Sequence, residues 1–261
     1  MELSLKGKLA VICGSTQGIG LASAQLLARA GATCVLVARN EERLREVIRT
    51  LSVDHSQKHQ FLLADFTQSD MLKSKIETFA QSHKAHILVN NTGGPAGGLI
   101  TNAKTDEFVN AFNQHLICNH ILVQALVPGM KENKYGRIIN IISTSVKQPL
   151  KGLGVSNTIR AAVANWSKSM ANELAGFGIT VNNVLPGATN TQRLQSIIES
   201  KSHRSGEPNS HITNEMEVEI PMGRFAEAEE IASGVVFLAS PAASYITGIN
   251  LPIDGGRTAC L

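Results

Sequence analysis

The chain has 261 residues, 43 % of them hydrophobic, and a formal net charge of +3 with its lysines and arginines spread along the sequence. This length suits one large domain with a full hydrophobic core. The dispersed basic residues lack the clustering that is typical of nucleic-acid-binding or polybasic membrane-binding proteins. We therefore expect small molecules and copies of the chain itself as partners, with no nucleic acid and no membrane among them.

The sequence predicts a cytoplasmic protein without a metal site. Its first residues, MELSLKGKLAVICG, lack the basic start, the long apolar stretch and the cleavage site of a secretory signal. No apolar run approaches the roughly 18 residues of a membrane span. The four cysteines are Cys13, Cys34, Cys118 and Cys260. Because they show no metal-ligand spacing, we expect buried thiols, with an exposed position left open for Cys260.

Short apolar runs rich in Val and Ile alternate with longer segments of helical period. In chain order the strand-like runs are KLAVIC, TCVLVA, QFLLAD, HILVNN, GRIINIIS, ITVNNVLPG and INLPID. The helical segments include Ile19–Ala30, Glu41–Leu51, Ser69–Ser82, Asp106–Met130 and Val155–Ala175. Strands that are apolar throughout are typical of a parallel sheet covered on both faces, and their alternation with helices indicates βαβ units. We predict a single α/β domain over residues 1–261: a doubly wound, Rossmann-type sandwich with a mainly seven-stranded parallel sheet.

One polar stretch, Leu194–Gly223, interrupts this alternation and carries Gly206 and Pro208 between two weak helical patterns. It follows the sixth strand, at the carboxyl edge of the sheet where ligands bind in this architecture. Long excursions of this kind in a compact domain are functional or disordered. We interpret the stretch as a mobile substrate lid, with a surface insertion as the alternative.

The segment VICGSTQGIG places three glycines between the first strand and the first helix. Glycine permits a positive φ in the turn and removes the Cβ that would block a pyrophosphate, while helix N-terminal N–H groups favour phosphates. The spacing G-x-x-x-G-x-G differs from the common G-x-G-x-x-G fingerprint, but its position favours dinucleotide binding over a purely structural turn. The predicted cofactor-binding residues of this loop are Gly14, Ser15, Thr16, Gln17, Gly18, Ile19 and Gly20.

The end of the second strand indicates which dinucleotide binds. The segment LVARNEERL has Ala38 and Arg39 where a residue that binds the ribose 2′-hydroxyl would be Asp or Glu. A carboxylate would repel a 2′-phosphate, whereas an arginine binds one through charge-assisted hydrogen bonds. The sequence favours NADP(H) over NAD(H), the alternative being an exposed arginine with no ligand.

From about Lys6 to Gly256 the chain resembles the short-chain dehydrogenase/reductase family, in particular its 3-oxoacyl-carrier-protein-reductase-like branch. The segments that carry the resemblance are the glycine turn, LLADFTQ, LVNNTGG, GRIINIIS, RAAVANWSKSMANELAGFGITVNNVLPG, IPMGRFAEAEEIASGVVFLASPAASYITG and LPIDGG. Together these motifs are specific for the family, though not for a substrate.

The resemblance implies three further groups of cofactor contacts: beside the adenine, near the fourth strand and along the nicotinamide. Their members are Asp65 and Phe66, then Asn91, Thr92 and Gly93, then Pro186, Gly187, Thr189 and Thr191. Ser143, which closes the fifth strand, would hydrogen-bond the substrate carbonyl. The resemblance also implies a homotetramer or homodimer built by pairing the long helices 106–130 and 155–175.

The catalytic pair departs from the family pattern. Members typically have Tyr-x-x-x-Lys at the start of the helix that begins near Val155, with the tyrosine thirteen residues after the serine. That register places Ser156 at the tyrosine position and Arg160 at the lysine position. The family's assisting asparagine aligns with His115, so Ser143 alone is retained among the four usual catalytic side chains.

These replacements change how a proton would be supplied. Residues at i and i+4 share a helix face, so we expect Ser156 and Arg160 to point together toward the cofactor, where Arg160 would hold the nicotinamide ribose. A serine hydroxyl cannot be brought near neutrality as a phenol can, and arginine stays charged. We expect the proton to come from His115, titrating near neutrality, from Lys151 in the loop STSVKQPLKGLG, or from water. A packing histidine and a solvated loop lysine are the alternatives.

Three functions remain open from the sequence. The first is an NADP(H)-linked oxidoreductase that reduces a ketone, 3-oxoacyl-like or other, with an atypical proton donor. The second is a nucleotide- or acyl-ligand-binding protein without redox activity, and the third is a non-redox dehydratase or isomerase on the same frame. We favour the first because the cofactor motifs are retained, whereas the altered pair indicates only that proton handling differs.

Overall fold

The computed structural model describes residues 2–260, and their strands form one wholly parallel sheet. The strands are β1 (Leu9–Cys13), β2 (Thr33–Ala38), β3 (Gln60–Leu63), β4 (Ile87–Asn90), β5 (Gly136–Ile141), β6 (Ile179–Pro186) and β7 (Asn250–Ile253). Their order across the sheet is β3-β2-β1-β4-β5-β6-β7. The order reverses between β1 and β4, and ligands of such sheets bind at this switch point. The predicted fold class and its seven strands are confirmed.

Helices cover both faces of the sheet. They are α1 (Gly18–Arg29), α2 (Glu41–Thr50), α3 (Ser69–Ser82), α4 (Thr105–Phe112), α5 (Cys118–Glu132), α6 (Gly154–Leu174), α7 (Gln192–Ser205), α8 (Asn209–Val218) and α9 (Ala228–Ala239). The helices α1, α2 and α9 pack on one face, and α3, α5 and α6 pack on the other. Within residues 2–260 we find no helix that combines the length and the apolarity needed to cross a bilayer.

The strand β1 shows why the strands are apolar throughout. Side chains alternate between the two faces of a sheet, and in β1 Ala10 and Ile12 join the core on one face while Val11 and Cys13 join the core on the other. Both faces are covered, so neither set of positions is free to be polar. Cys13, Cys34 and Cys118 are buried thiols, as predicted, and Cys260 is exposed.

The predicted long helix 106–130 is interrupted. Between α4 and α5 the chain forms one turn of π-helix, Asn113–Ile117. Single π turns insert one extra residue into a helical path and are frequent at functional sites. The turn changes which face of the helix His115 presents, and the side chain is buried, with an exposed fraction of 2 %.

A ladder of asparagine side chains crosses the four strands β4–β7. Its members are Asn90, Asn140, Asn183 and Asn250, which are paired in register on neighbouring strands. Their side-chain amides donate to one another in sequence, over 2.8, 3.0 and 2.8 Å. Ser167 on α6 joins the ladder, with its Oγ 2.9 Å from Nδ2 of Asn140 and 2.8 Å from Oδ1 of Asn183. The ladder therefore fixes both the register of these strands and the position of α6 against them.

The stretch 194–223 contains the two helices indicated by its periodicity, the greater part of α7 and all of α8. Their apolar residues form a small cluster separate from the main core: Leu194, Ile198, Ile212 and Met216. The chain entering α7 is held in place, because the backbone N–H of Asn190 donates to the carbonyl of Ala226 over 2.7 Å. The role of this stretch as a substrate lid stays a prediction.

Candidate active site

The glycine loop between β1 and α1 is shaped by close contacts that only glycine permits. A Cβ on Gly20 would lie 2.1 Å from the carbonyl oxygen of Gly14, and one on Gly14 would lie 2.6 Å from that of Asn91. Gly14 and Gly18 also have positive φ angles of 58° and 53°, which favour glycine. Gln17 precedes α1 and provides no side-chain cap. The first N–H groups of this helix are thus available to an anion, which is what a pyrophosphate requires.

The remaining loop residues support this arrangement. Ser15 is buried and its hydroxyl donates to the carbonyl of Val37 over 3.4 Å, which ties the loop to β2. The amide of Asn91 lies 3.3 Å from the carbonyl oxygens of both Cys13 and Gly14. Asn91 follows β4, so the loops after β1 and β4 are joined across the switch point.

Arg39 is exposed immediately after β2, at the same carboxyl edge of the sheet. Asp65, after β3, has its pKa lowered mainly by the hydrogen bond from the backbone N–H of Thr67, at 2.9 Å, with a smaller contribution from the charge of Arg39. The neighbouring Phe66 packs against the core. This arrangement leaves a guanidinium on the surface beside an ionised carboxylate that is already bonded within its own turn.

Ser143 follows β5 and faces the start of α6. Its Oγ accepts a hydrogen bond from the backbone N–H of Ser145 over 3.1 Å, which leaves the hydroxyl hydrogen free to donate. Arg160 is buried, with an exposed fraction of 8 %, and its Nη1 donates to the carbonyl of Ile141 over 3.0 Å. A guanidinium therefore lies beside the end of the strand that carries Ser143.

The orientation of α6 follows from its own sequence. Ser156, Arg160 and Ser167 lie at spacings of four and seven residues, which place them on one helix face. Ser167 is bonded into the asparagine ladder, so the rotation of α6 is fixed. This fixes the direction of Arg160, and Ser156, one turn earlier, is partly exposed.

His115 is brought to the same region from the π turn. Its Nδ1 is hydrogen-bonded to the hydroxyl of Thr92, the second residue after β4. Burial, followed by the charges of Arg160 and Arg193, lowers the pKa of His115 to about 2. The expectation that His115 titrates near neutrality is wrong, because a buried imidazole between two cations stays neutral at physiological pH.

Arg193, in the first turn of α7, is a residue that the sequence analysis missed. Its Nη2 donates to the carbonyl of Pro95 over 2.5 Å, which links α7 to the loop after β4. Its charge also acts on Arg160 and His115. The sequence shows only an arginine two residues after Thr191. The direction of its side chain depends on where α7 begins, which the sequence does not fix.

The loops after β4 and β5 are paired along the side of the site. The backbone N–H of Gly98 donates to the carbonyl of Gly152 over 2.7 Å. Lys151, beside this contact, is exposed. Gly93 has no heavy atom within 4 Å of a built Cβ, so no steric contact in the structure requires glycine there.

The end of β6 supplies the last predicted group. The backbone N–H of Gly187 donates to the carbonyl of Ile253 over 2.9 Å, and a Cβ on Gly187 would lie 2.7 Å from Cα of Asp254. Thr191 caps α7, its hydroxyl accepting from the N–H of Leu194 over 3.4 Å, and its methyl group would lie 3.1 Å from a Cβ on Gly18. The segment from Pro186 to Thr191 thus faces the glycine loop across the sheet edge.

Neither tyrosine of the chain lies at this site. Tyr135 precedes β5, at the opposite end of that strand from Ser143, and its hydroxyl donates to the carbonyl of Ala239 over 2.7 Å. Tyr245 is fully exposed. Proton transfer through a phenol is therefore not available at the end of β5.

A parallel sheet with a glycine loop at its switch point and polar side chains after β4, β5 and β6 defines a dinucleotide-binding oxidoreductase fold. Comparison with known proteins identifies the family of the chain. A family model described as "Enoyl-(Acyl carrier protein) reductase" matches residues 14–258. The chain belongs to the short-chain dehydrogenase/reductase family of oxidoreductases.

Three relatives illustrate this similarity. The chain is 33 % identical to the 3-oxoacyl-[acyl-carrier-protein] reductase FabG of Vibrio harveyi, over 97 % of this chain and 98 % of that protein. It is 30 % identical to the NADPH-dependent reductase BacG of Bacillus subtilis, over 95 % and 97 %. The structure of L-sorbose reductase from Gluconobacter frateurii, complexed with NADPH and L-sorbose, matches with a TM-score of 0.92 and 32 % identity, and both chains are fully covered.

Proposed function

We propose that this protein is an NADPH-dependent reductase of a ketone in which Ser143 and Arg160 polarise the carbonyl and water supplies the proton. The observation that carries the proposal is the placement of the Ser143 hydroxyl and the Arg160 guanidinium together after β5, beside the glycine loop. The relatives named above support the cofactor, since two of them are named for NADPH. All three are named as reductases, and their names do not share a substrate.

The residues present fit a bound dinucleotide phosphate. The close backbone contacts at Gly14 and Gly20 and the uncapped start of α1 would hold the pyrophosphate, and Arg39 would bind the 2′-phosphate. When bound, NADPH supplies the hydride that reduces the carbonyl carbon. The segments after β4 and β6 would hold the nicotinamide end, since both face the glycine loop across the switch point.

Each polar side chain has a distinct task in this mechanism. The hydroxyl of Ser143 donates a hydrogen bond to the substrate carbonyl oxygen, and the Arg160 guanidinium stabilises the negative charge that develops there. Because the pKa of His115 is about 2, we assign it as a neutral hydrogen-bonding group. The ring is hydrogen-bonded at Nδ1 to the Thr92 hydroxyl. Because it is neutral, it cannot serve as an imidazolium acid.

The proton of the product then comes from solvent. Ser156 stands at the position that the family resemblance gives to a tyrosine, and Arg160 stands at that of a lysine. A serine hydroxyl is a far weaker acid than a phenol, and arginine does not release its proton at neutral pH. Lys151 is exposed at the edge of the site, and its ammonium group is the alternative donor. We favour water because the exposed loop side chain is not held toward Ser143 by any contact among residues 2–260.

The test is NADPH oxidation by the purified protein with a panel of ketones and 3-oxoacyl thioesters, followed by Ser143→Ala. We expect turnover, and a kcat lower by about 10²- to 10³-fold in the variant, as for other donors to a developing oxyanion. The matched control is Ser145→Ala, two residues away, because the Ser145 hydroxyl is buried without a hydrogen-bond partner among the described residues. It should change kcat less than about threefold, which is under 1 kcal/mol.

A ligand-binding protein without redox activity is the second candidate, favoured by the low pKa of His115, which removes this histidine as a proton donor. It predicts that NADPH binds stoichiometrically while no ketone of the panel is reduced. Product analysis without added NADPH addresses a third candidate, a dehydratase or isomerase reaction on the same frame. Turnover that is lost in Ser143→Ala and kept in Ser145→Ala would contradict the binding-protein candidate.

We also propose that the protein forms a homodimer or homotetramer. The helix α4 exposes Val109 and Phe112, with exposed fractions of 56 and 39 %, and these apolar side chains would be covered by pairing of the long helices. Light scattering on the purified protein tests this proposal, and a monomeric mass would contradict it.

A further inference from the structure

We propose that the substrate carries a carboxylate a few bonds from the reacting carbonyl, and that Arg193 and Arg160 bind it. This inference rests on the proposed reductase function and names the substrate class. It follows from Arg193, whose charge acts on Arg160 and to which the reduction of a neutral ketone gives no role.

Two arginines and the neutral His115 lie close enough for their charges to interact near the end of β5. Arg193, on α7, donates to the carbonyl of Pro95, and Arg160, on α6, donates to the carbonyl of Ile141. The charges of both arginines contribute to lowering the pKa of His115. The ion pairs of residues 2–260 involve neither arginine, and each of those pairs is formed by other residues. Neither arginine therefore has an acidic partner among the described residues.

This arrangement is unfavourable without an anion for the buried Arg160, whereas Arg193 is exposed to solvent. The Arg160 guanidinium has five N–H donors, and the carbonyl of Ile141 accounts for the one hydrogen bond that it makes among the described residues. A buried charge that is neither paired nor fully hydrogen-bonded costs free energy. Burial first, and then the charge of Arg193, lowers the pKa of Arg160 to about 10. A bound anion would remove both costs.

The cofactor's phosphates do not supply this anion. The pyrophosphate loop follows β1, and β4 separates β1 from β5. Neighbouring strands lie about 4.8 Å apart, so the end of β5 is roughly 10 Å from that loop, and Arg39, the proposed 2′-phosphate ligand, lies on the other side of β1. The nicotinamide riboside between these points carries no negative charge. The anion therefore belongs to the substrate.

The positions of the two arginines indicate where that anion sits. Arg160 is bonded to Ile141, two residues before Ser143, and Arg193 is bonded to the loop after β4, the strand next to β5. A carboxylate held between them lies within a few bonds of a carbonyl held by Ser143. Planar guanidinium groups match the geometry of a carboxylate, to which they can bind through two hydrogen bonds. A small oxo acid satisfies both requirements, whereas a neutral ketone or an ester leaves the arginines unpaired.

The experiment compares each oxo acid with its neutral methyl ester: 2-oxobutanoate and 3-oxobutanoate against their esters, with saturating NADPH. We expect kcat/KM for at least one acid to exceed that for its ester by about tenfold or more, the discrimination typical of a charge-assisted hydrogen bond. Arg193→Gln should lower kcat/KM for the acid by about the same factor and so reduce the acid-to-ester ratio toward one. Arg193→Lys, which keeps the charge, should retain part of the ratio.

The matched control is Arg49→Gln, which removes a charge from an exposed position in the last turn of α2 and should leave the ratio unchanged. The dissociation constant of NADPH is measured for each variant. Equal kcat/KM for acids and esters in a protein that oxidises NADPH overturns the carboxylate proposal while the reductase function stands. A rise in the NADPH dissociation constant of Arg193→Gln that accounts for its whole loss of kcat/KM assigns the arginine to the cofactor and also overturns the proposal.

Calorimetric titration of the NADPH complex with 2-oxobutanoate and its ester separates this inference from the reductase function. If no ketone is reduced but the acid binds at least about tenfold more tightly than the ester, and Arg193→Gln abolishes the difference, the anion site is supported and the reductase proposal fails. If neither compound binds and neither is reduced, both proposals fail.

Discussion

The loop after β1 and the loops after β4 and β5 lie side by side at one edge of the sheet, yet different constraints shape them. The first is fixed by backbone contacts, since side chains on Gly14 or Gly20 would overlap neighbouring atoms. The second region is fixed by side chains that reach it from separate elements: Ser143 from β5, Arg160 from α6 and His115 from the π turn. Backbone contacts tolerate few residue types, whereas a side-chain arrangement can be replaced group by group. This difference explains how the glycine loop that we propose to bind NADPH can coexist with the replacements that the family resemblance implies at the catalytic side chains.

The largest effect on cofactor binding should come from a side chain added to the glycine loop, the region that backbone contacts shape. In Gly20→Ala the new methyl group would lie 2.1 Å from the Gly14 oxygen, and overpacking of this kind typically costs about 1–3 kcal/mol. We expect NADPH to bind about 100-fold more weakly, measured by fluorescence titration on protein whose circular dichroism confirms folding. Gly176→Ala is the matched control, because nothing lies within 4 Å of its built Cβ. Equal NADPH affinity in both variants would contradict the assignment of the loop.

The second prediction concerns His115, in the region that side chains from separate elements form, and it uses the pH dependence of the free energy of unfolding. Because the pKa of His115 is about 2 in the folded protein and about 6.5 when unfolded, only the unfolded chain takes up this proton between those values. The contribution of His115 to the free energy of unfolding is complete above pH ~6.5 and is lost as the pH falls, by about 2 kcal/mol at pH ~5. Urea unfolding at both pH values should show this loss in the wild type and its absence in His115→Asn.

The same histidine should leave no trace in the pH dependence of turnover. An imidazolium donor would make kcat fall as the pH rises through about 6.5. We expect the plot of kcat against pH to show no step at about pH 6.5 that is due to His115. The shape of the plot should therefore be the same in the wild type and in His115→Asn. A step near that pH in the wild type, absent from the variant, would show that His115 titrates at the site after all.

A smaller effect on NADPH binding is expected at Arg39, an exposed charge beside the glycine loop. Arg39→Ala should weaken NADPH binding by about tenfold, in line with the loss of one charge-assisted hydrogen bond, and leave NADH binding almost unchanged. Parallel titrations with both nucleotides measure the ratio. Arg43→Ala, on the exposed part of α2, is the control, and an equal loss for both nucleotides would argue against a 2′-phosphate contact.

The smallest effect should come from Lys151. If water supplies the proton, Lys151→Ala changes kcat by less than about twofold, because general acid catalysis by a positioned side chain is worth about 10²–10⁴-fold and an exposed lysine is not positioned. Steady-state kinetics with the best ketone of the panel measures this. A loss of a hundredfold or more would identify Lys151 as the donor.

The sequence was sufficient for the fold and for the glycine loop because periodicity and backbone sterics act locally. All seven strands follow from apolar runs, and the glycines follow from their spacing. It was insufficient for His115 because the π turn, and hence the burial of the ring between Thr92 and two arginines, depends on tertiary packing. Arg193 was missed for the same reason, since the direction of its side chain follows from how α7 is anchored near Ala226.

The asparagine ladder has a consequence for how this protein can be altered. Sliding any of β4–β7 by one residue would break amide pairs in the interior, at a cost of about 1–3 kcal/mol for each group left unpaired. The separation between the phosphate loop and Ser143 is thus set by the sheet and not by the connecting segments. On the reductase proposal, changes in α7, α8 and the 144–153 loop would alter the surroundings of the substrate while the sheet keeps the spacing between the glycine loop and Ser143. The sheet, and not these segments, would then hold the cofactor and Ser143 in alignment.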